Sequence, residues 1–195
     1  MEKIKPRQLD IMQTLAKMLE KKGPVKITTS LLAKECGITE AAIYRHFPSK
    51  RKIYSGLVDF CEDSLFSLIS NIKSSEDDPL LKVSKVIIMI INFSEKNPGM
   101  ARILTREAFS SSEASLDERI GQIFSKIEIQ IKQLLQNYEQ KTKKKLPLTS
   151  TAIANLLLAL AEGLIQQFVR SGFKTKPSER IDKQINLLIK SLTSK

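Results

Sequence analysis

Apolar residues recur every three to four positions along most of this chain, which is the spacing of amphipathic α-helices. The strict alternation that is typical of β-strands is nearly absent, and Gly and Pro occur only seven times each in 195 residues. We therefore predict an all-α protein of about nine helices. The predicted helices cover residues 6–22, 30–36, 40–47, 49–72, 80–96, 100–109, 116–141, 152–169 and 178–192.

The segment 27–50, ITTSLLAKECGITEAAIYRHFPSK, has the pattern of a helix-turn-helix. Thr29 is expected to cap the first of its two helices, and Gly37 supplies the positive φ of a sharp turn. Thr39 then caps a second, short helix, which Pro48 ends. An ordinary helical hairpin is the alternative, but caps, Gly, Pro and basic residues all fall where a DNA-reading motif needs them.

The second helix of this motif has two distinct sides. Ile43 and Phe47 are four residues apart and are expected to face the core. A helix whose other side has small residues and one aromatic approaches base edges closely in a major groove. The residues expected on that outward side are Glu40, Ala41, Tyr44 and Arg45.

The charge of the chain agrees with a polyanionic partner at its N-terminal end. Thirty-two Lys and Arg outnumber 21 Asp and Glu, for a net charge of +11. Residues 1–55 hold 12 basic and 5 acidic side chains, a net charge of +7, while the remainder is nearly balanced. Charge alone does not separate DNA from RNA or from an anionic membrane. The helix-turn-helix favours duplex DNA.

We predict two parts, a helix-turn-helix domain over residues 1–50 and a helical body over residues 51–195. The last two helices of the body are apolar over more than one face. They form either the core of a single subunit or a four-helix contact between two subunits, and we favour the dimer. The residues predicted at or beside that contact are Leu160, Leu164 and Phe168.

The sequence offers little for enzymatic chemistry. His46 is the only histidine, and there is no Gly-rich phosphate loop. Cys36 and Cys61 lack metal-ligand spacing and are expected to be reduced core residues. We therefore expect no enzyme activity, no cofactor and no metal site. The polar N-terminus lacks a secretion signal, and the apolar run 86–91 is too short to span a bilayer, so we expect a cytoplasmic protein that does not bind membranes.

The helix-turn-helix domain of residues 1–50, called the head from here on, resembles the TetR family of DNA-binding proteins. That family commonly has a Tyr-x-His-Phe element, like Tyr44, His46 and Phe47, followed by a Lys like Lys50. The resemblance continues through AAIYRHFPSKRKIYSGLVDFCEDSL, EKNPGMARILTREA and EGLIQQFVRSGFKTKP, which are similar to TetR-type proteins that act in nucleoid occlusion. It implies a TetR-like fold, with a three-helix head and a C-terminal helical dimerisation and regulatory domain.

The resemblance also implies partners. It implies a homodimer on palindromic double-stranded DNA, with higher-order assembly left open. On such DNA we expect Glu40 and Ala41 to lie nearest the bases. The residues expected mainly to position the phosphates are Tyr44, His46, Lys50 and the hydroxyls of Thr28 and Thr29. The complete predicted DNA-binding set is Thr28, Thr29, Ser30, Thr39, Glu40, Ala41, Tyr44, His46 and Lys50.

The second implied partner is the C-terminal tail of the division protein FtsZ. The resemblance places it in a groove between the helices at 49–72 and 80–96, with contacts at Phe60, Lys96 and Asn97. Leu68 stands where the family often has a basic residue, and Asn92 where it has Gly.

The competing function is a ligand-responsive TetR-type repressor. In such a protein, the helices from 80 to 170 enclose a small-molecule pocket whose filling moves the two heads apart. Aromatic side chains are few in this region and aliphatic ones are dense, which favours a filled core.

Overall fold

The computed structural model describes residues 5–21, 27–109 and 115–193, and this part of the chain contains nine α-helices and no strand. The prediction of an all-α protein is therefore confirmed. The predicted breaks at Gly23-Pro24 and across 110–114 lie outside the described residues. The helices are α1 (Pro6–Leu19), α2 (Thr29–Glu35), α3 (Glu40–His46), α4 (Lys50–Ser75), α5 (Pro79–Lys96), α6 (Pro98–Leu104), α7 (Ser115–Thr142), α8 (Ser150–Arg170) and α9 (Ser178–Thr193).

Local chemistry explains where two of these helices begin and end. The Asp78 carboxylate caps α5 by accepting hydrogen bonds from the Leu80 and Leu81 N–H groups at 2.8 and 3.4 Å. α6 ends at Leu104, five residues earlier than predicted. The reason lies at Arg106, whose φ of 65° is left-handed and cannot continue a right-handed helix.

The apolar spacing of α1 predicts an inward stripe, and most of that stripe is buried. Met12, Leu15 and Leu19 are at most 3% exposed, whereas Leu9 of the same stripe is 36% exposed. Ile11 and Met18, outside the stripe, are buried as well. α1 packs against α4 and α6 as well as against α2 and α3. Because several helices pack against α1, its buried face is wider than the predicted stripe.

α5 is the central helix of the body and contacts α4, α6, α7, α8 and α9. Its inward side chains are aliphatic, and Val86, Ile87, Ile90 and Ile91 are fully buried. α4 and α5 form one antiparallel hairpin, while α7 and α8 form another. The body therefore has a filled aliphatic core, as the composition predicted.

Ion pairs attach α4 to α7 on the surface of the body. Arg119 of α7 contacts Asp59 at 2.5 Å and Glu62 at 3.3 Å, and Lys126 contacts Glu62 at 2.6 Å. Glu62 is thus the centre of a small network of ion pairs.

The head and the body share one continuous cluster of buried side chains, from Ile11 in α1 to Ile185 in α9. The predicted division at residues 50 and 51 therefore falls at the start of α4, inside a continuous core, and it stays a prediction.

Candidate functional site

The turn between α2 and α3 has the geometry that the sequence predicted. Gly37 has a φ of +65°, and a Cβ at this position would meet no atom within 4 Å. Glycine is therefore required by the backbone conformation and not by lack of space. The Ile38 N–H donates to the Ala33 carbonyl at 3.0 Å, which closes the end of α2 and orients α3.

The cap of α2 is Thr28 and not Thr29, so the predicted cap was wrong by one residue. Thr28 is extended, with φ −95° and ψ 159°, and its hydroxyl accepts the Leu31 N–H at 3.1 Å. Thr29 is the first helical residue. Its hydroxyl instead lies 3.2 Å from the Tyr44 hydroxyl, so a hydrogen bond joins the start of α2 to α3.

α3 presents the two sides expected of it. The Thr39 hydroxyl caps it by accepting the Ala42 N–H at 3.2 Å. Ile43 is fully buried and Phe47 is 8% exposed, which confirms that both face inward. Tyr44 is 46% exposed, and the other outward positions Glu40, Ala41 and Arg45 are exposed as well. Small and polar side chains therefore line the solvent-facing side of the candidate recognition helix.

The end of α3 and the start of α4 are held from within the head. The Gln8 side-chain amide of α1 donates to the His46 carbonyl at 3.1 Å. The Ser49 hydroxyl caps α4 by accepting the Lys52 N–H at 3.3 Å. The Lys50 ammonium lies 5.3 Å from the centre of the Tyr54 ring, within cation–π range. His46 and Lys50 are partly exposed and Ser30 is exposed, so all three reach the surface of the head.

The three residues predicted to contact FtsZ lie at the end of the α4–α5 hairpin that is nearest the head. Phe60 precedes the end of α4 by fifteen residues, and Lys96 follows the start of α5 by seventeen. At about 1.5 Å per residue these offsets differ by only about 3 Å, so in an antiparallel hairpin the two residues lie at nearly the same level. Phe60 is 40% exposed, and Lys96 and Asn97 are exposed.

The apolar residues of α4 divide between two surroundings. Ile53 and Leu57 are buried in the contact with the head. Phe60 and Leu68 continue the helical spacing of Ile53 and Leu57 along α4, but they are 40% and 38% exposed. α4 therefore carries an exposed apolar strip, made of Phe60 and Leu68, and Asn92 of α5 is half-buried.

The apolar face of α8 also contains both buried and exposed side chains. Phe168 is 2% exposed, and its ring centroid lies 5.1 Å from that of Phe173, so it belongs to the core of its own subunit. Leu160 and Leu164 are half-buried, and Leu156 is 51% exposed. The placement of Leu160, Leu164 and Phe168 at or beside a dimer contact stays a prediction, with Phe168 buried and the two leucines partly accessible.

Two further observations complete the surface of α8 and α9. Ala159 and Gly163 are exposed on α8, and Leu187, which the sequence interpretation had passed over, is 70% exposed on α9. A helical wheel of α9 would have identified Leu187. Within the described residues, α8 is also the one helix long and apolar enough to cross a membrane, with a mean hydropathy of 1.5, although 44% of that window is buried inside the protein.

The cysteines differ in their surroundings. Burial raises the pKa of the Cys61 thiol to about 12, and nearby Glu62 adds to the shift. Cys36, predicted to be a core residue, is only partly buried at the end of α2. In the described part of the chain no group of three or more His, Cys, Asp or Glu side chains is placed to hold a metal ion.

Comparisons with known proteins cover both parts of the chain. Residues 11–57 match the family model described as bacterial regulatory proteins, tetR family. Residues 77–193 match the SlmA-like model described as tetracyclin repressor-like, C-terminal domain.

Curated relatives match over nearly the whole chain. The nucleoid occlusion factor SlmA of Shewanella amazonensis is 44% identical over 191 residues, covering 98% of this chain and 96% of the relative. That of Shewanella sediminis is 46% identical over 178 residues, with coverages of 91% and 90%.

Solved structures agree on the fold. The fatty acid degradation regulator FadR from Bacillus halodurans superposes with a TM-score of 0.80 at 16% identity, covering 100% of both chains. AibR, solved with isovaleryl coenzyme A and operator DNA, gives 0.72 at 16% identity, covering 94% of this chain and 98% of its own. These similarities extend to the fold alone.

Proposed function

This chain belongs to the SlmA nucleoid occlusion factors of the TetR family, and from that premise we propose that it binds palindromic DNA as a homodimer and captures FtsZ while bound. Capture of the FtsZ C-terminal tail prevents assembly of the division ring over the chromosome, and the protein works in the cytoplasm on the nucleoid. The observation that carries the proposal is the location of Phe60, Lys96 and Asn97, all exposed at the head-proximal end of the α4–α5 hairpin.

In the proposed DNA complex, α3 enters the major groove and its neighbours hold the backbone. Two heads of one dimer read half-sites about one helical turn apart, roughly 34 Å. Glu40 and Ala41 lie nearest the bases because they are at the exposed start of α3. The Thr29 and Tyr44 hydroxyls, which are hydrogen-bonded to each other, contact a phosphate in this proposal.

The remaining members of the proposed DNA surface contribute mainly to backbone binding. Lys50 supplies a positive charge at the start of α4, and the partly exposed His46 is the last residue of α3. The starts of α2 and α3, where backbone N–H groups favour anions, carry the exposed residues Thr28, Ser30 and Thr39.

The proposed FtsZ site combines apolar contact with positive charge. An extended tail that is both apolar and acidic fits a groove with an exposed Phe60 ring and a Lys96 ammonium at its end. Asn97 offers a side-chain carbonyl and N–H to such a backbone, and its amide already donates to the Phe93 carbonyl at 2.7 Å. Leu68 extends the apolar strip where relatives of this type often have a basic residue, so we expect this chain to rely more on apolar contact.

The proposed dimer contact uses the exposed parts of α8 and α9. Leu156, Leu160 and Leu164 provide apolar area, and Ala159 and Gly163 allow close approach of the helices. The same contact explains why a helix with a mean hydropathy of 1.5 is only partly buried within one subunit.

The experiment that tests the proposal measures two affinities of one purified protein by fluorescence anisotropy. One probe is a palindromic duplex selected from a random pool, and the other is a peptide of the FtsZ tail. Lys96→Glu is expected to abolish peptide binding and to leave duplex binding unchanged, because Lys96 lies outside α3. Lys82→Glu is the matched control, since it reverses a charge on the same helix about 21 Å away.

Two outcomes contradict the proposal. Wild-type protein that ignores the tail peptide even when saturated with the duplex does not act on FtsZ through this groove. Loss of duplex binding on addition of a small molecule, without any contact with FtsZ, supports the ligand-responsive repressor instead.

A further inference from the structure

The positive charge of the body is concentrated in one place. Residues 56–195 hold 20 basic and 16 acidic side chains. Five of these basic side chains and one of the acidic ones lie within residues 130–150, which leaves 15 of each sign for the rest of the body. The whole excess is therefore located at the end of α7 and in the connection from α7 to α8. Its exposed lysines, called the distal lysines below, are Lys141, Lys143, Lys144 and Lys145.

The distal lysines and the recognition helix α3 lie at opposite ends of the subunit. α4 begins at Lys50, just after α3, and its 26 residues extend over about 39 Å. The Lys141 ammonium donates to the carbonyl of Asp77, two residues beyond the end of α4, at 3.2 Å. A ligand on the distal lysines therefore does not compete for space with DNA held by α3.

The connection that carries the distal lysines has a defined shape. Lys143 has a left-handed φ of 58°, and its N–H donates to the Glu139 carbonyl at 3.0 Å, which closes the end of α7. The Thr142 hydroxyl donates to the Tyr138 carbonyl at 2.8 Å and accepts the Lys144 N–H at 3.3 Å. Because the backbone is held in this way, less conformational entropy is lost when the lysines bind a ligand.

The one carboxylate of residues 130–150 is engaged elsewhere. One oxygen of Glu139 accepts the Leu146 N–H at 3.1 Å, and the other accepts the Ser150 hydroxyl at 3.4 Å. Among the described residues, no ion pair involves the three consecutive lysines 143–145. These three lysines therefore present positive charge that no carboxylate of the described chain contacts.

Amide side chains surround the distal lysines. Two depressions of about 310 and 460 Å³ share Gln140, and Asn137 lines the first while Gln136 lines the second. Each has one acidic residue against at least two lysines. Lys, Asn and Gln are side chains that contact DNA phosphates. Neither depression has an aromatic ring among its described lining residues, on which the bases of a single strand would stack. The lining therefore suits the backbone of a duplex.

The same surface lacks the apolar part that a membrane-binding segment needs. Such segments place the apolar face of a helix in the headgroup region. In residues 130–150, all of which the structure describes, Leu148 is the one exposed large apolar side chain, and it lies in the connection and not on a helix. Charge and amides without an apolar face favour nucleic acid.

We propose that the distal lysines bind the phosphates of a second DNA duplex without sequence specificity, so that one dimer joins two DNA segments. The inference goes beyond the proposed function. It takes from that function only that α3 reads a duplex, and it does not depend on FtsZ. The first duplex lies on the heads, and the second lies at the far ends of the two bodies.

The number of free lysines sets the strength of this contact. Each phosphate that a lysine neutralises contributes about −0.9 to the slope of log K against log salt, so residues 143–145 should give a slope of about −3. Non-specific contacts of this kind have a Kd of roughly 10⁻⁴ to 10⁻⁶ M at physiological salt. The second duplex should therefore bind weakly and be measured best at low salt.

The test is fluorescence anisotropy of the full-length protein that already holds one unlabelled palindromic duplex per two chains. A labelled duplex of random sequence is then added at about 50 mM salt. The double variant Lys144→Glu with Lys145→Glu should bind this second duplex at least about tenfold more weakly than wild type, with unchanged affinity for the palindrome.

The matched control changes the net charge by the same amount at another exposed place. Lys174→Glu with Lys176→Glu alters the connection from α8 to α9, at the other end of α8, and should bind the second duplex like wild type. A loss as large as that of the distal variant would show that net charge alone is responsible, and it would overturn the inference.

A single substitution keeps the test decisive if the double variant does not fold. Lys144→Ala should reduce the salt slope of the second duplex by about one and leave that of the palindrome unchanged. Equal binding of the second duplex by wild type and the distal variants would overturn the inference. So would wild type that binds vesicles of anionic phospholipid but not the second duplex. The proposed function is judged separately, by the titration of the same protein with the palindrome.

Discussion

Thr28 serves two roles that substitutions can separate. Its hydroxyl caps α2 at 3.1 Å from the Leu31 nitrogen, and we place the same exposed residue beside a DNA phosphate. Thr28→Ala removes both the cap and the hydroxyl. Loss of a Thr cap costs about 1 kcal/mol, which corresponds to a decrease in Tm of about 2–4 °C for a chain of this size.

Thr28→Asp keeps the helix cap and adds a negative charge beside the proposed DNA phosphate. Asp is a good N-cap residue and its charge is favourable at a helix N-terminus, so the Tm should stay at the wild-type value. Two unit charges 4 Å apart repel by about 1 kcal/mol in water and by about 4 kcal/mol at an effective dielectric constant of 20. Each half-site should therefore bind roughly 5-fold to several hundred-fold more weakly.

The assay is a pair of measurements on both variants, thermal unfolding without DNA and anisotropy with the selected palindrome. The two variants should differ in opposite ways. Thr28→Ala should have a lower Tm and only a moderately lower DNA affinity, whereas Thr28→Asp should keep the wild-type Tm and have a much lower DNA affinity. Wild-type DNA affinity in Thr28→Asp would remove Thr28 from the phosphate contact. An unchanged Tm in Thr28→Ala would show that the cap contributes nothing.

Three further predictions concern DNA, assembly and pH. Lys50→Ala should weaken binding to all sequences alike and reduce the slope of log K against log salt by about one, measured by anisotropy across salt concentrations, and a changed base preference would contradict it. Leu164→Glu should be monomeric in sedimentation and lose the palindrome, because burying an unpaired carboxylate is costly, while Leu148→Glu, at another exposed leucine, should remain dimeric. A hydrogen bond from Lys85, together with backbone N–H groups, lowers the pKa of Glu76 to about 2. The contribution of the Glu76 carboxylate to stability is therefore present above pH 4.5 and disappears as the pH falls towards 2. Glu76→Gln should destabilise the protein at pH 7 and not at pH 2, and equal destabilisation at both pH values would refute the ion pair.

Much of the fold could be predicted from local patterns because helices are local structures. The 3.6-residue period and the breakers gave nine helices, and Gly37, Thr39 and Pro48 gave the turn and the limits of α3. Ile43 and Phe47 were assigned correctly to the core because α3 is short and has only one apolar side. These features depend on residues within a few positions of each other.

The 3.6-residue period does not specify which neighbouring helix covers which face of a helix. α8 is apolar around much of its circumference, and only its packing against α5 and α7 decides that Phe168 is core while Leu156 is exposed. The same holds for Phe60 and Leu68, which share the spacing of Ile53 and Leu57 but lie beyond the reach of the head. Burial depends on contacts between distant segments, and spacing along one helix does not specify them.

Two details of the site were likewise decided by three-dimensional structure. Either Thr28 or Thr29 had the chemistry of a cap, and the backbone's entry into α2 selected Thr28 and left Thr29 to meet Tyr44. Gly99 looked in the sequence like part of a helix break, yet its missing side chain makes room for the carbonyl of Ala16. The sequence by itself determined the helices and the chemistry available on them, whereas the approach of segments eighty residues apart determined which of those groups meet, because close packing is a property of the assembled chain.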